Sequence, residues 1–99
     1  MIKLVCDDNM KMDINYAYSS FLKAIENLQA VGNIVEYKNQ KPQEFSSLML
    51  AIATFYTYIQ RHSTESEEIY SNSKQIIINT LSSYPELEGL KNTLLIDTL

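Results

Sequence analysis

The stretch FSSLMLAIATFYTYIQ, residues 45–60, decides the fold because it runs for 16 residues without a charged side chain. Spanning the ~30 Å hydrocarbon core of a bilayer takes about 20 mostly apolar residues. This stretch is shorter than that, and it is interrupted by the hydroxyl side chains of Ser46, Ser47, Thr54 and Thr57. We therefore expect a buried helix of a globular protein and no stable insertion into a membrane.

On a helical wheel at about 100° per residue, this stretch has two different faces. One wide apolar face predicts the side that packs on the core, and it consists of Phe45, Leu48, Met49, Ile52, Phe55, Tyr56 and Ile59. The opposite face consists of Ser47, Leu50, Thr54, Thr57 and Tyr58. Because the second face is neither strongly apolar nor charged, it is typical neither of a core nor of an ordinary solvent-exposed surface.

Two interpretations of this second face are open at the level of sequence. In the first, the helix is the central helix of a bundle, and a neighbouring helix packs on its small hydroxyl side chains. In the second, the face is a protein interface, because depletion of charge together with tyrosine enrichment is typical of the core of a protein contact. Tyr16 and Ile78 also point away from the apolar stripes of their own predicted helices, which makes them further candidate interface residues.

Capping and spacing predict the other helices of an all-α bundle of about four. Asp13 is a good N-cap, and the apolar residues after it are spaced 4, 3, 4 and 3 apart. This pattern predicts a helix over about 14–30, which ends before Gly32. Pro42 suits the first turn of the uncharged helix, which we expect over about 42–61.

Two capping boxes predict the remaining helices. A T-x-x-E box that begins at Thr64 predicts a helix over about 64–83. An S-x-x-E box that begins at Ser83 predicts a helix over about 84–97. Pro85 separates the two, because the residue before a proline is pushed out of the α region.

Two short segments have no clear helical period. In residues 2–6 every second side chain, at positions 2, 4 and 6, is apolar. Residues 34–37 form a short β-branched and aromatic run. They could pair as a minor two-stranded ribbon beside the bundle, but short apolar runs do not distinguish strand from helix or coil. The conformation of residues 1–12 and 33–41 is therefore left open by the sequence.

Composition limits the class of protein. At 99 residues the chain has room for one domain, 1–99, and Leu, Ile, Val and Phe make up 28 of its residues. That share is above the roughly 20% below which chains remain disordered. Eight basic residues against twelve acidic ones give a net charge of −4. This charge disfavours long-range attraction to nucleic acid and to anionic membrane surfaces.

The usage of cysteine favours a reducing compartment. Cys6 is the single cysteine, so the chain forms no internal disulfide. The apolar patch of residues 1–6 is short and runs directly into acidic residues, which is unlike a secretory signal peptide. We therefore expect a cytoplasmic protein.

The side chains that catalysis requires are scarce. His62 is the single histidine, which excludes a two-histidine metal site. Glu65 and Glu68 could join it in a carboxylate-rich metal site, but acidic residues are expected in the first turn of a helix. The run 7–13 has the alternate spacing of a calcium loop, yet Lys11 replaces an oxygen ligand. Two glycines 57 residues apart form no phosphate-binding loop. We expect no enzymatic activity, no cofactor and no metal.

The leading hypothesis is a non-enzymatic protein–protein interaction module, a small bacterial or phage regulator or adaptor that binds a protein partner or a second copy of itself. An alternative follows from a resemblance. The length and the helix, polar turn and helix of residues 45–83 resemble the bundle immunity proteins that protect producers of pediocin-type bacteriocins. This resemblance implies an immunity or antagonist function, although those proteins are usually more basic. A further alternative is a small acidic secretion chaperone, which is similar in size and charge.

Overall fold

Five α-helices form the fold of residues 13–96, the part of the chain that the computed structural model describes. In chain order they are α1 (Ile14–Gln29), α2 (Ile34–Gln40), α3 (Pro42–Arg61), α4 (Glu67–Leu81) and α5 (Glu88–Leu95). Two short 3-10 helices, Ser63–Glu65 and Pro85–Leu87, precede α4 and α5. These residues include no strand, and the prediction of an all-α bundle is confirmed.

Helix α1 begins and ends where the capping residues predict. The backbone of Asp13 is extended, and its Oδ1 accepts a hydrogen bond of 2.8 Å from the backbone N–H of Tyr16. This bond pairs one of the N–H groups that the first turn of a helix leaves without an internal partner. After α1 the chain turns through Gly32, whose φ of +83° lies in the left-handed region that favours glycine.

The conformation of residues 34–37, which the sequence left open, is helical, because these residues form the first turn of α2 and not half of a ribbon. Asn33 caps this helix, and its Oδ1 accepts a hydrogen bond of 2.9 Å from the backbone N–H of Glu36. The cap and the burial of Ile34 in the core outweigh the weak strand preference of so short a run. The other half of the predicted ribbon, residues 2–6, lies outside the described residues.

Helix α4 begins later than its predicted capping box. Its N-cap is Ser66, whose Oγ accepts a hydrogen bond of 3.2 Å from the backbone N–H of Ile69. Thr64 lies instead in the preceding 3-10 helix. The predicted start at residue 64 is wrong because Ser66 is the residue with the extended backbone that an N-cap requires.

Helix α5 is also shorter than predicted. The second capping box is wrong, because Pro85 opens a 3-10 helix and α5 follows from Glu88 without a side-chain cap. Proline fixes φ near −65°, which suits the first position of such a turn. Of the apolar residues in this region, Leu87 and Leu94 are buried and Leu90 is half-buried.

Helix α3 is the central element, since it packs against α1, α2, α4 and α5. Its predicted core face is confirmed, because Leu48, Ile52, Tyr56 and Ile59 are buried. From α1 the core receives Ile14, Ala17, Phe21, Ala24, Ile25 and Leu28. Among residues 13–96, no helix combines the length and the hydropathy that crossing a membrane requires.

The cap of α1 gives a first testable prediction. Replacing Asp13 by alanine removes the bond to the N–H of Tyr16, and we expect the free energy of unfolding to fall by about 1 kcal/mol. Asp13→Asn retains an acceptor and serves as the control, which we expect to stay within a few tenths of a kcal/mol of the original chain. Urea unfolding measures both. Equal stability of Asp13→Ala and the original chain would show that this cap contributes nothing.

The buried hydroxyl of Ser73 gives a second prediction. Ser73 on α4 has 0% of its surface exposed, and its Oγ has no hydrogen-bond partner among the described residues. Ser73→Ala removes the unpaired hydroxyl, so we expect it to raise the free energy of unfolding by about 1 kcal/mol. Ser73→Leu overfills the same position and should lower it by about 1–3 kcal/mol. A loss of stability in Ser73→Ala, measured by thermal and urea unfolding, contradicts this account.

Candidate interaction surface

The outer stripe of α3 is a row of six side chains spaced 4, 3, 4, 3 and 4 residues apart, which places them along one side of the helix. Its members are Gln43, Ser47, Leu50, Thr54, Thr57 and Arg61. All are exposed except Thr57, which is half-buried. Leu50 has 67% of its surface exposed, the largest fraction among the large hydrophobic side chains of residues 13–96.

Although α3 is central, the bundle covers only its apolar side. Within residues 13–96, Ser47, Leu50 and Thr54 are exposed and none of the described helices covers them, so the interpretation in which a neighbouring helix packs on this face is wrong for these three residues in this part of the chain. A domain of this size buries a limited share of its surface, and its central helix is not enclosed on every side. The alternative, that the face is a protein interface, stays a prediction.

A shallow depression of about 390 Å³ lies on the stripe, next to Leu50 along the helix. Its walls are Ala53, Thr54, Thr57, Tyr58, Arg61 and His62. The Tyr58 ring stacks on the His62 imidazole with ring centroids 4.0 Å apart and ring planes 17° apart. The His62 ring nitrogen Nδ1 also lies at hydrogen-bond distance, 2.9 Å, from the backbone carbonyl oxygen of Tyr58. These two contacts hold the aromatic wall of the depression in place.

Helix α5 borders the same end of the stripe. Thr57 and Arg61 line a second depression, also of about 390 Å³, together with Leu94 and Ile96 from the end of the described chain. Ile96 has 60% of its surface exposed. Ile96 therefore lies beside the Thr57 and Arg61 end of the outer stripe, which carries Leu50 nearer its other end.

The structure brings together five of the seven predicted interface residues, which are Ser47, Leu50, Thr54, Thr57 and Tyr58. Tyr16 lies elsewhere: it is 56% exposed, and its ring packs edge-on against Phe55 at 6.4 Å between centroids, at the contact of α1 with α3. Ile78 is half-buried on α4. That helix packs on the core side of α3, where the Tyr56 and Tyr70 rings lie 6.4 Å apart.

Several residues of this surface are absent from the sequence prediction, among them Gln43, Arg61 and Ile96. One more step of the 4 and 3 spacing at each end of the uncharged stretch gives Gln43 and Arg61, so a sequence signal for them exists. Ile96 has no such signal, because only the packing of α5 against α3 brings it to the stripe.

A larger open groove of about 710 Å³ runs between α1, α2 and α3. Small side chains on the facing helices, including Ala24 and Ala51, leave this space unfilled. Its charged rim residues are Lys23 and Glu44, one of each sign.

Within residues 13–96, no three His, Cys, Asp or Glu side chains lie close enough to hold a metal ion. The groove and the outer stripe provide concave surface and hydrogen-bonding side chains for binding another molecule.

Comparisons with protein-family models, with curated proteins and with solved structures found no match to this chain.

The contrast between the two sides of α3 gives a third prediction. We expect Leu50→Ser to change the free energy of unfolding by less than about 0.5 kcal/mol, because Leu50 is exposed. Ile52→Ala, two residues away and fully buried, should lower it by about 2–5 kcal/mol. Urea unfolding at low protein concentration, where association does not contribute, measures both. A large loss for Leu50→Ser would mean that the outer stripe is part of the core.

Proposed function

We propose that this protein is a non-enzymatic protein-interaction module, a small regulator or adaptor, which binds its partner through the outer stripe of α3. The observation that carries the proposal is the exposure of Leu50 in the middle of 16 residues without charge. Solvent-facing helix surfaces are usually charged, whereas charge depletion is typical of the core of protein contacts. Covering an exposed leucine side chain contributes about 1.5–3 kcal/mol to such a contact.

The side chains around Leu50 support binding of a protein surface. The hydroxyl groups of Ser47, Thr54 and Thr57 both donate and accept hydrogen bonds, so they suit the backbone and side-chain polar groups of a partner. Tyr58 is held by its stack on His62 and offers an aromatic contact of low conformational freedom. A partner that covers Leu50 can therefore form hydrogen bonds between its own polar groups and the hydroxyl groups at the edge of the contact.

We place this module in the cytoplasm, since a chain with one cysteine and no internal disulfide suits a reducing compartment. An immunity protein or a secretion chaperone would be a special case of the same proposal, because each acts by binding another protein. The net charge of −4 supports a protein partner in preference to nucleic acid.

Photocrosslinking in the native host tests this proposal. A benzophenone amino acid replaces Leu50 or Thr54 in the full chain, and the matched control carries it at Leu22, which lies in the cleft between α1 and α4 and is 38% exposed. We expect a discrete crosslinked protein adduct from the two stripe positions and none from position 22. The proposal fails if positions 50 and 54 give no adduct, or if position 22 gives the same adduct.

A further inference from the structure

We propose that the partner of the outer stripe is a second copy of this chain, bound with its α3 antiparallel to the first. This inference rests on the proposed function, because it names the occupant of the same surface. Its starting observation is that one helix carries both an apolar projection, Leu50, and a depression beside it that begins at Thr54.

The depression has the geometry that accepts one side chain from a packed helix. Four of its walls, Thr54, Thr57, Tyr58 and Arg61, follow the spacing i, i+3, i+4 and i+7. In helix packing, a hole formed by four residues of one helix receives a single side-chain knob from the other. A leucine that enters this hole contacts two threonine methyl groups and the Tyr58 ring.

The same patch is complementary to itself. At a rise of 1.5 Å per residue, Leu50 lies about 11 Å along the axis from the centre of the hole. A two-fold axis halfway between them, close to Thr54, places each Leu50 in the depression of the other copy. A two-fold dimer requires that the same patch supply both the projection and the hole. The outer stripe meets this requirement with one helix.

The charges at the ends of the uncharged stretch select the antiparallel direction. Glu44 lies in the first turn of α3, Arg61 lies in its last turn, and residues 45–60 between them carry no charge. Antiparallel pairing brings each Arg61 to the same end of the contact as the partner's Glu44, which lies beside the stripe on the rim of the groove between α1, α2 and α3. Parallel pairing would place like charges side by side and would align the two helix dipoles unfavourably.

The outer stripe provides a long line of contact for a second helix. The stripe from Gln43 to Arg61 is about 27 Å long at 1.5 Å per residue. A standard interface buries about 800 Å² per partner, roughly an eighth of the 6357 Å² accessible to solvent here. Small side chains along the stripe allow the two helices to approach to the short end of the usual 8–10 Å range. Ile96 then adds apolar area against the first half of the partner's α3.

Sedimentation equilibrium of the purified full chain, over a wide range of concentrations, tests the dimer. We expect a monomer–dimer equilibrium that Leu50→Glu abolishes and that the matched control Leu22→Glu leaves within about threefold in Kd. Circular dichroism checks that both variants fold. Burying an unpaired carboxylate in the hole is strongly unfavourable, whereas position 22 lies away from the stripe.

Charge reversal tests the direction of pairing. Arg61→Glu alone and Glu44→Arg alone each place like charges together twice per dimer, so each should raise Kd by about tenfold or more. The double variant Glu44→Arg/Arg61→Glu restores opposite charges and should return Kd to within about threefold of the original. Failure of the double variant to recover overturns the antiparallel arrangement.

Other outcomes separate this inference from the proposed function. A purified chain that stays monomeric at every concentration, while the Leu50 photoadduct contains a different protein, overturns the homodimer and leaves the interaction module standing. A dimer that Leu50→Glu does not weaken also overturns the inference. Loss of both the photoadduct and the dimer rejects the two together.

Discussion

The contact between α1 and α3 is the interaction on which the rest of the structure depends. At its centre the Phe21 ring lies 6.1 Å from the Tyr56 ring, and both side chains are almost fully buried. Ala17 and Ala24, one turn to either side of Phe21, are also buried, and their small size lets the two helices approach closely. Each of the other described helices also contacts α3. The contact with α1 therefore sets the direction in which the apolar face of α3 points.

That orientation has a direct consequence for the surface. Once Ile52, Tyr56 and Ile59 face α1 and α4, the side chains half a turn away must point outward, because a helix has 3.6 residues per turn. A bundle of this size has too few elements to cover α3 all round. Leu50 is therefore exposed for the same reason that Ile52 is buried, and the uncharged character of its surroundings distinguishes this face from an ordinary polar exterior.

Sequence patterns predicted much of the fold and part of the surface, and the misses have physical causes. The N-cap Asp13, the bounds of the helix 42–61 and the apolar face of that helix follow from local chemistry and period. The conformation of residues 34–37 was left open by the sequence, and the predicted helix starts at 64 and 84 were wrong. In each case a nearby residue, such as Asn33 or Ser66, offered a better cap or Pro85 imposed a tighter turn. Tyr16 lies outside the outer stripe because its ring packs on Phe55, where α1 contacts α3. Ile78 lies outside it because α4 packs on the core side of α3.

By itself the sequence determined that the chain is helical, where its long helices run, and that one of them carries an uncharged face opposite its apolar one, since these properties depend on residues close together in the chain. Only the tertiary structure decided that the described helices leave this face exposed, that Ile96 lies beside Thr57 and Arg61, and that Tyr16 packs on Phe55 instead. Burial and adjacency are properties of packing between distant segments. The pattern along one helix fixes which side chains share a side, and the placement of its neighbours fixes which of those sides remains in contact with water.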